Sequence, residues 1–524
     1  MSNNENYKSM KKWNIYLHSI CFLLVFTAFN TSGGISQRAL TGYQDETAGT
    51  DHEFKGIDGF ISTSIVYTFF ALSNWIAPII VEFTSTKFSM MIGASIYALY
   101  VATYIYPNAL VMWISSALLG CGAGVLWTAQ GTFITDNSDE KTMQKNTGIF
   151  WMFLQSGMIW GNLYIYRTLE GKTSIDSESR VPLYWTFTFL ASVGTMLMIL
   201  LKQYNHIDKQ DYKRGYVLDE EQSSEVEQMK NLNCESSSDN EKISENDEDA
   251  MTKCKRVFLE AIDLFGTKPM LILCLHFIYT GVIQSFWTTV YPAMIGGTKD
   301  FGADSDRLTG INGITMGAGQ VVGGLIFSIF PKFMGNRLSK ENIVIMGGVI
   351  HLVCFAFIYG NFEPCSPLSD NYIKKSNVGL TRGQPGFAEQ YPEYFSISNY
   401  QISLIIAFFL GFGDCCFNTQ TYSYLGSMYK NNSAPAFAIF KSIQSIATAI
   451  SLSYAGKWIL PTQLVILCVF NIIAMVSFYK LNKDLQRQTN KNDHEDKQSS
   501  SYDESTTQST SGLEKSRNVA AVQG

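Results

Sequence analysis

Two stretches of the chain, LGCGAGVLWT at 119–128 and LGFGDCCFNT at 410–419, open with the same Leu-Gly-x-Gly pattern and close on threonine. Each is followed in the next apolar run by a Gln-Ser pair, Gln155-Ser156 in the first copy and Gln444-Ser445 in the second. The copies stay about 290 residues apart over their whole length. An offset this constant predicts that the chain consists of two halves built from the same helical unit.

The distribution of apolar residues predicts twelve helices long enough to cross a bilayer. Charged residues are 16% of the chain, below the roughly 25% typical of soluble proteins, and most of them lie in two tracts. Elsewhere, windows of about 20 apolar residues recur. The predicted spans are 14–36, 57–80, 88–106, 110–133, 146–166, 182–202, 269–291, 308–330, 341–360, 398–422, 435–454 and 459–479.

These spans divide the chain into two bundles with polar flanks. We expect six helices in 14–202 and six in 269–480, preceded by a cytosolic N-terminus at 1–13. The acidic tract 203–268 and the tail 481–524 are too polar to form a core, so both are predicted to be disordered.

Basic residues near the span ends predict the orientation of the chain. Lysine and arginine flank the first, sixth, seventh and twelfth spans on the side of the termini and the linker, which places these segments in the cytosol. The plasma membrane and endolysosomal membranes both fit this topology. Ser238 and Ser244 in the linker each precede an acidic residue by three positions. They are either sites for an acid-directed kinase or part of a plain solvated linker.

Several ordered strings carry a resemblance to a known family. The strings are VLWTAQG at 125–131, NSDE at 137–140, GIFW at 148–151, GNLYIY at 161–166, GKT at 171–173, GFGDCCFNTQ at 411–420 and SAPAFAIFK at 433–441. They resemble the Unc-93-like family of the major facilitator superfamily, and the last two resemble one branch of it. The resemblance implies an all-α polytopic membrane protein with two pseudo-symmetric six-helix bundles, 12 transmembrane helices, and substrate sites near the midplane between the halves.

The same resemblance leaves two functions open. One is a secondary transporter of an unidentified small solute. The other is a non-transporting regulatory or escort subunit, because one family member is known as a potassium-channel regulatory subunit and a relative escorts innate immune receptors. The loop VEFTSTK at 81–87 lacks the Gly, Asp and Arg-rich motif of superfamily transporters, and Gly335-Asn336-Arg337 keeps only a trace of it. This departure favours the second function, whereas polar residues in both halves favour the first.

Asp414 and Lys441 are the principal candidate site residues, because an ionisable group at mid-membrane costs at least about 2.5 kcal/mol without a partner or a watery cavity. If the tenth span ends near Ser423, Asp414 lies roughly 14 Å from the cytosolic surface and Lys441 roughly 12 Å. Three interpretations follow: a buried salt bridge, a snorkelling Lys441 with Asp414 bonded to neighbours such as Asn418, or a substrate or proton site. In the first copy, neutral Ala123 and Met152 occupy the equivalent positions.

Neutral polar residues in the repeated segments are the secondary candidates. They are Gln130, Gln155, Asn418 and Gln444. These side chains either line a central cavity or form hydrogen bonds across helices, each worth about 0.6 kcal/mol.

Other classes of function find no support in the chain. It contains no phosphate-binding Gly-x4-Gly-Lys loop and no paired Cys-x-x-Cys metal site. Its formal charge is −6, without a basic stripe for nucleic acid. We therefore expect no enzymatic activity, no cofactor and no resident metal. The expected partners are the lipid bilayer and either a small-molecule substrate or another membrane protein.

Overall fold

The computed structural model describes residues 2–50, 54, 59–169, 175–202, 250–298, 305–329, 339–364 and 399–483, which form helices joined by turns and contain no strand. In chain order the helices are α1 Ser2–Thr47, α2 Gly59–Ser73, α3 Ala77–Thr84, α4 Thr86–Ala102, α5 Ala109–Asp136, α6 Glu140–Thr168, α7 Ser177–Leu197, α8 Ala250–Gly266, α9 Lys268–Ser285, α10 Tyr291–Gly297, α11 Ser305–Ile329, α12 Lys340–Asn361, α13 Tyr400–Met428, α14 Ser433–Ala455 and α15 Leu460–Lys483. A π-helical turn, Phe286–Val290, joins α9 to α10.

Helices occupy all twelve predicted positions. Among the described residues, nine helices are long and apolar enough to cross a membrane, and the bent pair α2–α3 makes a tenth. The remaining two positions belong to α4, which has 17 residues, and to α6, a 29-residue helix with several polar side chains. Length and composition alone do not indicate that these two helices span the membrane.

The duplicated glycines occupy equivalent places in the two halves. Helix α5 packs against α2 and α4, and α13 packs in the same way against α11 and α12. A methyl group at Gly120 would lie 2.4 Å from the carbonyl oxygen of Val66 in α2, and one at Gly411 would lie 2.2 Å from that of Met316 in α11. Each half therefore brings two backbones into direct contact at its copy of the motif, which explains why both copies carry glycine there.

The start of α1 and the end of α15 lie at one end of the bundle. Lys11 near the start of α1 forms a 2.9 Å salt bridge with Asp139 in the α5–α6 connection. Asn14 contacts Asn137 at 2.9 Å and the Lys202 carbonyl at 2.8 Å, and Asn482 in α15 donates to Glu341 at the start of α12. We call this end the predicted cytosolic end and the opposite end the predicted outer end.

The two halves meet through α2 with α14 and through α6 with α11. Near the predicted cytosolic end, a methyl group at Gly131 of α5 would lie 2.3 Å from the Phe437 ring of α14. One at Gly426 of α13 would lie 2.1 Å from the end of the Met143 side chain of α6. The halves are therefore in tight contact at this end.

Large apolar side chains cover the outside of the bundle. Phe189, Leu110 and Leu99 are 70%, 69% and 66% exposed. Apolar surfaces of this extent mark contact with a membrane or a partner. Their distribution around the helices agrees with a bilayer as the surrounding solvent.

The second predicted span, 57–80, is not one continuous helix. The chain breaks at residues 74–76 and bends by 64° between α2 and α3. Pro78 in the first turn of α3 has no backbone N–H to continue the α2 ladder. The Asn74 side chain bonds the Phe70 carbonyl at 2.7 Å, and the Ser442 hydroxyl of α14 bonds the Ala71 carbonyl at 3.0 Å. The break therefore lies where the two halves touch.

The first helix continues past the predicted end at residue 36, to Thr47. Its last turns are attached to the start of α7 through the 1% exposed Arg180. Arg180 lies 3.5 Å from Glu46 and 4.3 Å from the Tyr43 ring centroid. Partial burial opposes ionisation of Glu46, but hydrogen bonds from Ser177 and the charge of Arg180 lower its pKa overall. These contacts stabilise an extension that apolar composition alone does not predict.

The linker was predicted to be disordered from 203 to 268, which is wrong for Ala250–Gly266, since these residues form α8. Val257, Ala261 and Leu264 are buried on one helical face. Lys253 also forms a 3.1 Å salt bridge with Glu82 of α3. The acidic average of the tract hid this local pattern.

Residues 203–249, with Ser238 and Ser244, and 484–524 lie outside the described residues.

We predict that Gly120→Ala and Gly411→Ala each destabilise the fold, by about 1–3 kcal/mol, because a backbone carbonyl cannot move aside as a flexible side chain can. Gly33→Ala is the control, since a methyl group there meets no atom within 4 Å. Thermal unfolding of detergent-purified protein gives the comparison. Unfolding midpoints equal to that of the Gly33→Ala variant would show that the close approaches do not limit stability.

Candidate functional site between the two halves

The Lys441 ammonium lies inside the molecule, where the two halves meet. Its side chain belongs to α14 of the second half and the residue is 5% exposed. The Nζ atom donates to the Gln444 side chain at 2.9 Å. It also lies 4.5 Å, 4.8 Å and 5.3 Å from the ring centroids of Phe440, Trp127 and Tyr422. We call these three rings the aromatic cage.

One wall of the aromatic cage comes from the first half. Trp127 belongs to α5, and its Nε1 donates to the Tyr97 hydroxyl of α4 at 3.3 Å. Its ring also packs against Phe26 and Phe22 of α1, with centroids 5.0 Å and 5.9 Å away. The first half therefore fixes Trp127 in place. A movement of one half relative to the other would open the cage.

The rings and the amide compensate part of the cost of burying a charge. An ammonium at mid-membrane costs at least about 2.5 kcal/mol, and a cation over an aromatic face gains about 0.5–2 kcal/mol. Several rings and one neutral acceptor thus suit the ammonium form. They supply no counter-charge, however, and Lys441 forms no salt bridge with any carboxylate of the described residues.

Asp414 has a separate set of contacts. It is 1% exposed, and its Oδ1 accepts a 3.2 Å hydrogen bond from Trp287 Nε1. Asn418, one turn along α13, donates to the Asp414 carbonyl at 3.1 Å. Trp287 lies in the π-helical turn Phe286–Val290, and such turns are frequent at functional sites.

The structure does not bring Asp414 and Lys441 into the direct salt bridge that equal depths predicted. Helix α13 continues to Met428 rather than ending near Ser423. Asp414 lies about 14 residues, or roughly 21 Å, from that end, whereas Lys441 lies about 8 residues, or roughly 12 Å, from Ser433. The backbone positions of the two residues are thus offset by roughly 9 Å along the bundle. Lys441 also does not snorkel to the surface.

The four neutral polar candidates differ in whether they contact the charged residues. Gln444 and Asn418 contact the two charged residues directly. Gln130 is fully buried one turn from Trp127, and neither amide atom has a hydrogen-bond partner. Gln155, 5% exposed, lies instead on α6, where its backbone faces Gly317 of α11. The structure therefore places two of the four neutral candidates, Gln444 and Asn418, in contact with Lys441 or Asp414. A role for any of them in binding stays a prediction.

The sequence did not single out the aromatic partners Trp127, Tyr422 and Trp287. The repeat contained one usable signal, since Trp127 in the first copy aligns with Asn418 in the second. Because Asn418 lies inside the bundle, this correspondence indicates an inward-facing position for Trp127 as well. No local pattern points to Tyr422 or Trp287, because their partners lie on other helices.

The fold is that of a major facilitator superfamily protein of known structure. The crystal structure of FucP, a transporter of that superfamily in the outward conformation, superposes with a TM-score of 0.53 at 13% sequence identity, covering 89% of this chain and 98% of that one. The predicted all-α fold with two six-helix halves is confirmed.

Sequence comparison gives the family. The model of the family described as "Ion channel regulatory protein UNC-93" matches residues 50–479. The UNC93-like protein MFSD11 of Xenopus tropicalis is 33% identical over 93% of this chain and 99% of its own length. UNC93-like protein 3 of Arabidopsis thaliana is 24% identical over 87% of this chain and 83% of its own length. The chain belongs to the UNC-93 family, and the predicted family resemblance is confirmed.

We predict that Lys441→Met changes the free energy of unfolding by less than about 2 kcal/mol. A charge roughly 9 Å away couples by at most about 2 kcal/mol at an effective dielectric of 20, and the substitution also removes the cost of burying an ammonium. Breaking a direct buried salt bridge would instead cost about 3–5 kcal/mol. Chemical unfolding of the purified protein measures the difference.

A double-mutant cycle that combines Lys441→Met with the isosteric Asp414→Asn measures the coupling free energy between Lys441 and Asp414. Asparagine keeps an acceptor for Trp287, so this variant removes the charge and little else. A coupling energy of 3 kcal/mol or more, the order expected of a direct pair, would contradict the geometry described above.

Proposed function

We propose that the protein is a secondary transporter that moves a small solute through the region between its two halves, around Lys441. One observation carries this proposal: a buried cation of the second half is enclosed by Trp127 of the first half, 4.8 Å away. A site divided between the halves changes when they rock, and rocking around a midplane site is how such folds alternate access. We place both termini and the linker in the cytosol, in either the plasma membrane or an endolysosomal membrane.

The contacts on either side of Lys441 support the proposal. Towards the predicted cytosolic end, Phe437 packs on Gly131, and the Tyr422 ring lies 5.6 Å from Trp151 of α6. These aromatic contacts separate the aromatic cage from that end. They involve apolar and aromatic groups rather than salt bridges, so separating them leaves no buried charge unpaired.

The break between α2 and α3 gives the halves a second point of contact that suits movement. Ser442, adjacent to Lys441, bonds the Ala71 carbonyl that the break frees from the helix. Bent or discontinuous helices at the level of a site are common in transporters. A displacement of Lys441 would therefore be transmitted to α2 through the neighbouring serine.

A regulatory or escort subunit is the alternative function. The description of the matching family as an ion channel regulatory protein favours it. So does the loop at 81–87, whose acidic residue Glu82 pairs with Lys253 of α8. In this alternative, the fold binds a channel or receptor, and purification in mild detergent should retain that partner. Neither function requires catalysis.

We predict that cells lacking the protein differ from control cells in at least one small metabolite. Purified protein in liposomes should then carry that metabolite at a rate above protein-free vesicles. An untargeted comparison followed by the flux assay measures both. A partner in stoichiometric amounts after gentle purification, together with no flux of any differing metabolite, would support the regulatory alternative instead.

We further predict that linking the halves abolishes transport. A Cβ at position 131 would lie 2.3 Å from the Phe437 ring atom next to its own Cβ, so the double variant Gly131→Cys/Phe437→Cys brings two Cβ atoms within about 4 Å, as a disulfide requires. Oxidation should stop flux and reduction should restore it. The two single-cysteine variants control for the native cysteines. Undiminished flux in the oxidised double variant would exclude rocking at this contact.

A further inference from the structure

Aromatic rings and one amide enclose the Lys441 amino group, but no carboxylate of the described residues forms a salt bridge with it. Three ring centroids lie within 5.3 Å of Nζ, and the single hydrogen bond goes to the neutral Gln444. Asp414 stays bonded to Trp287 and lies deeper. The Lys441 amino group therefore lies between two aromatic walls without a carboxylate of the described residues in contact with it.

Unpartnered polar groups surround the same region. The Tyr422 hydroxyl, on a ring of the aromatic cage, is buried without a hydrogen-bond partner. The same holds for Nε1 of Trp151, whose ring lies 5.6 Å from that of Tyr422, and for both amide atoms of Gln130. Buried polar groups usually have partners, and each exception calls for an explanation. Tyr422 belongs to the second half and faces Lys441, whereas Trp151 and Gln130 belong to the first half.

These observations have a common explanation in the chemistry of a ligand. A single buried cation is matched by a single anionic group, and a carboxylate accepts charge-assisted hydrogen bonds from an ammonium. The flat faces of Trp127 and Tyr422 suit an apolar or aromatic body attached to that group. The donors on Tyr422, Trp151 and Gln130 offer additional hydrogen bonds to ligand oxygens.

We propose that Lys441 binds the carboxylate of a small organic monoanion whose apolar body lies between the Trp127 and Tyr422 rings. The identification of this anion as a transported solute rests on the proposed function. Binding itself does not, because a regulatory subunit with the same site would bind the anion without moving it. A dianion fits less well, since Asp414 repels a second negative charge on its side of the site.

The test uses the full chain and four probes of similar size. Benzoate and butyrate are the carboxylates, glucose is the neutral probe and tetraethylammonium is the cation. The variants are Lys441→Met, which removes the charge, and Lys441→Arg, which keeps it. Lys430→Gln, at an exposed position beyond the end of α13, is the matched control.

Binding is measured first, as the rise in unfolding temperature with probe concentration. We expect benzoate or butyrate to stabilise the wild-type protein and the Lys430→Gln control alike. Lys441→Met should weaken this binding about 10- to 100-fold, the loss of one hydrogen bond to a charged group, and Lys441→Arg should restore part of it. If Lys441→Met and the wild type unfold at the same temperature without probe, the weaker binding of the variant does not result from a destabilised fold.

Uptake into liposomes of the same proteins separates this inference from the proposed function. Carboxylate uptake that Lys441→Met abolishes would support both. Carboxylate binding that depends on Lys441 without uptake would support the site and refute transport of that anion. Uptake of glucose or tetraethylammonium alone, or carboxylate binding unchanged in Lys441→Met, would overturn the monoanion site while leaving transport possible. Absence of binding for both carboxylates would also overturn it.

Discussion

The rest of the candidate site depends on the cost of placing an ammonium ion inside a helical bundle in a membrane. Hydrocarbon does not solvate a charge, so the charge must be compensated by dipoles, aromatic faces or an opposite charge. Lys441 has the first two, from Gln444 and from the aromatic cage. The opposite charge is that of Asp414, whose backbone position is offset by roughly 9 Å along the bundle. The Asp414 carboxylate accepts a hydrogen bond from Trp287. This partial compensation is the basis of the proposed anion site between the halves.

The duplication explains why this site is asymmetric. Both halves use the glycine of the repeated motif for the same close backbone contact, at Gly120 and at Gly411. Both halves therefore share this helix packing, whereas the charged residues Asp414 and Lys441 occur only in the second copy. The first copy instead contributes Trp127, fixed by its hydrogen bond to Tyr97. One half provides the charge and the other provides a rigid aromatic wall.

Much of the fold was predictable because the bilayer imposes a simple rule on sequence. A helix that crosses it needs about 20 apolar residues, and helices appear at all twelve positions where such windows occur. The errors have local causes. Gly426 and the polar residues before it resemble a helix end, but they are buried between the halves, so α13 runs on to Met428. Composition averaged over the acidic tract likewise concealed α8.

The candidate site was predictable only in part. Lys441, Gln444, Asp414 and Asn418 stood out because polar residues in apolar runs need partners. Trp287 and Tyr422 did not, since an aromatic residue in a membrane helix looks the same whether it faces lipid or a buried cation. The meeting of Trp127 with Lys441 depends on how the two halves pack. That packing is encoded in shape complementarity across many residues, such as Gly131 against Phe437, rather than in any one motif.

The most direct test of a carboxylate site at Lys441 is a cryo-electron microscopy structure of the protein in nanodiscs, determined with and without benzoate. We expect benzoate density between the Trp127 and Tyr422 rings, with a carboxylate oxygen about 2.8 Å from Lys441 Nζ. We also expect this density to be absent from Lys441→Met. A direct Lys441–Asp414 salt bridge in both maps, with benzoate elsewhere or unbound, would contradict a carboxylate site at Lys441.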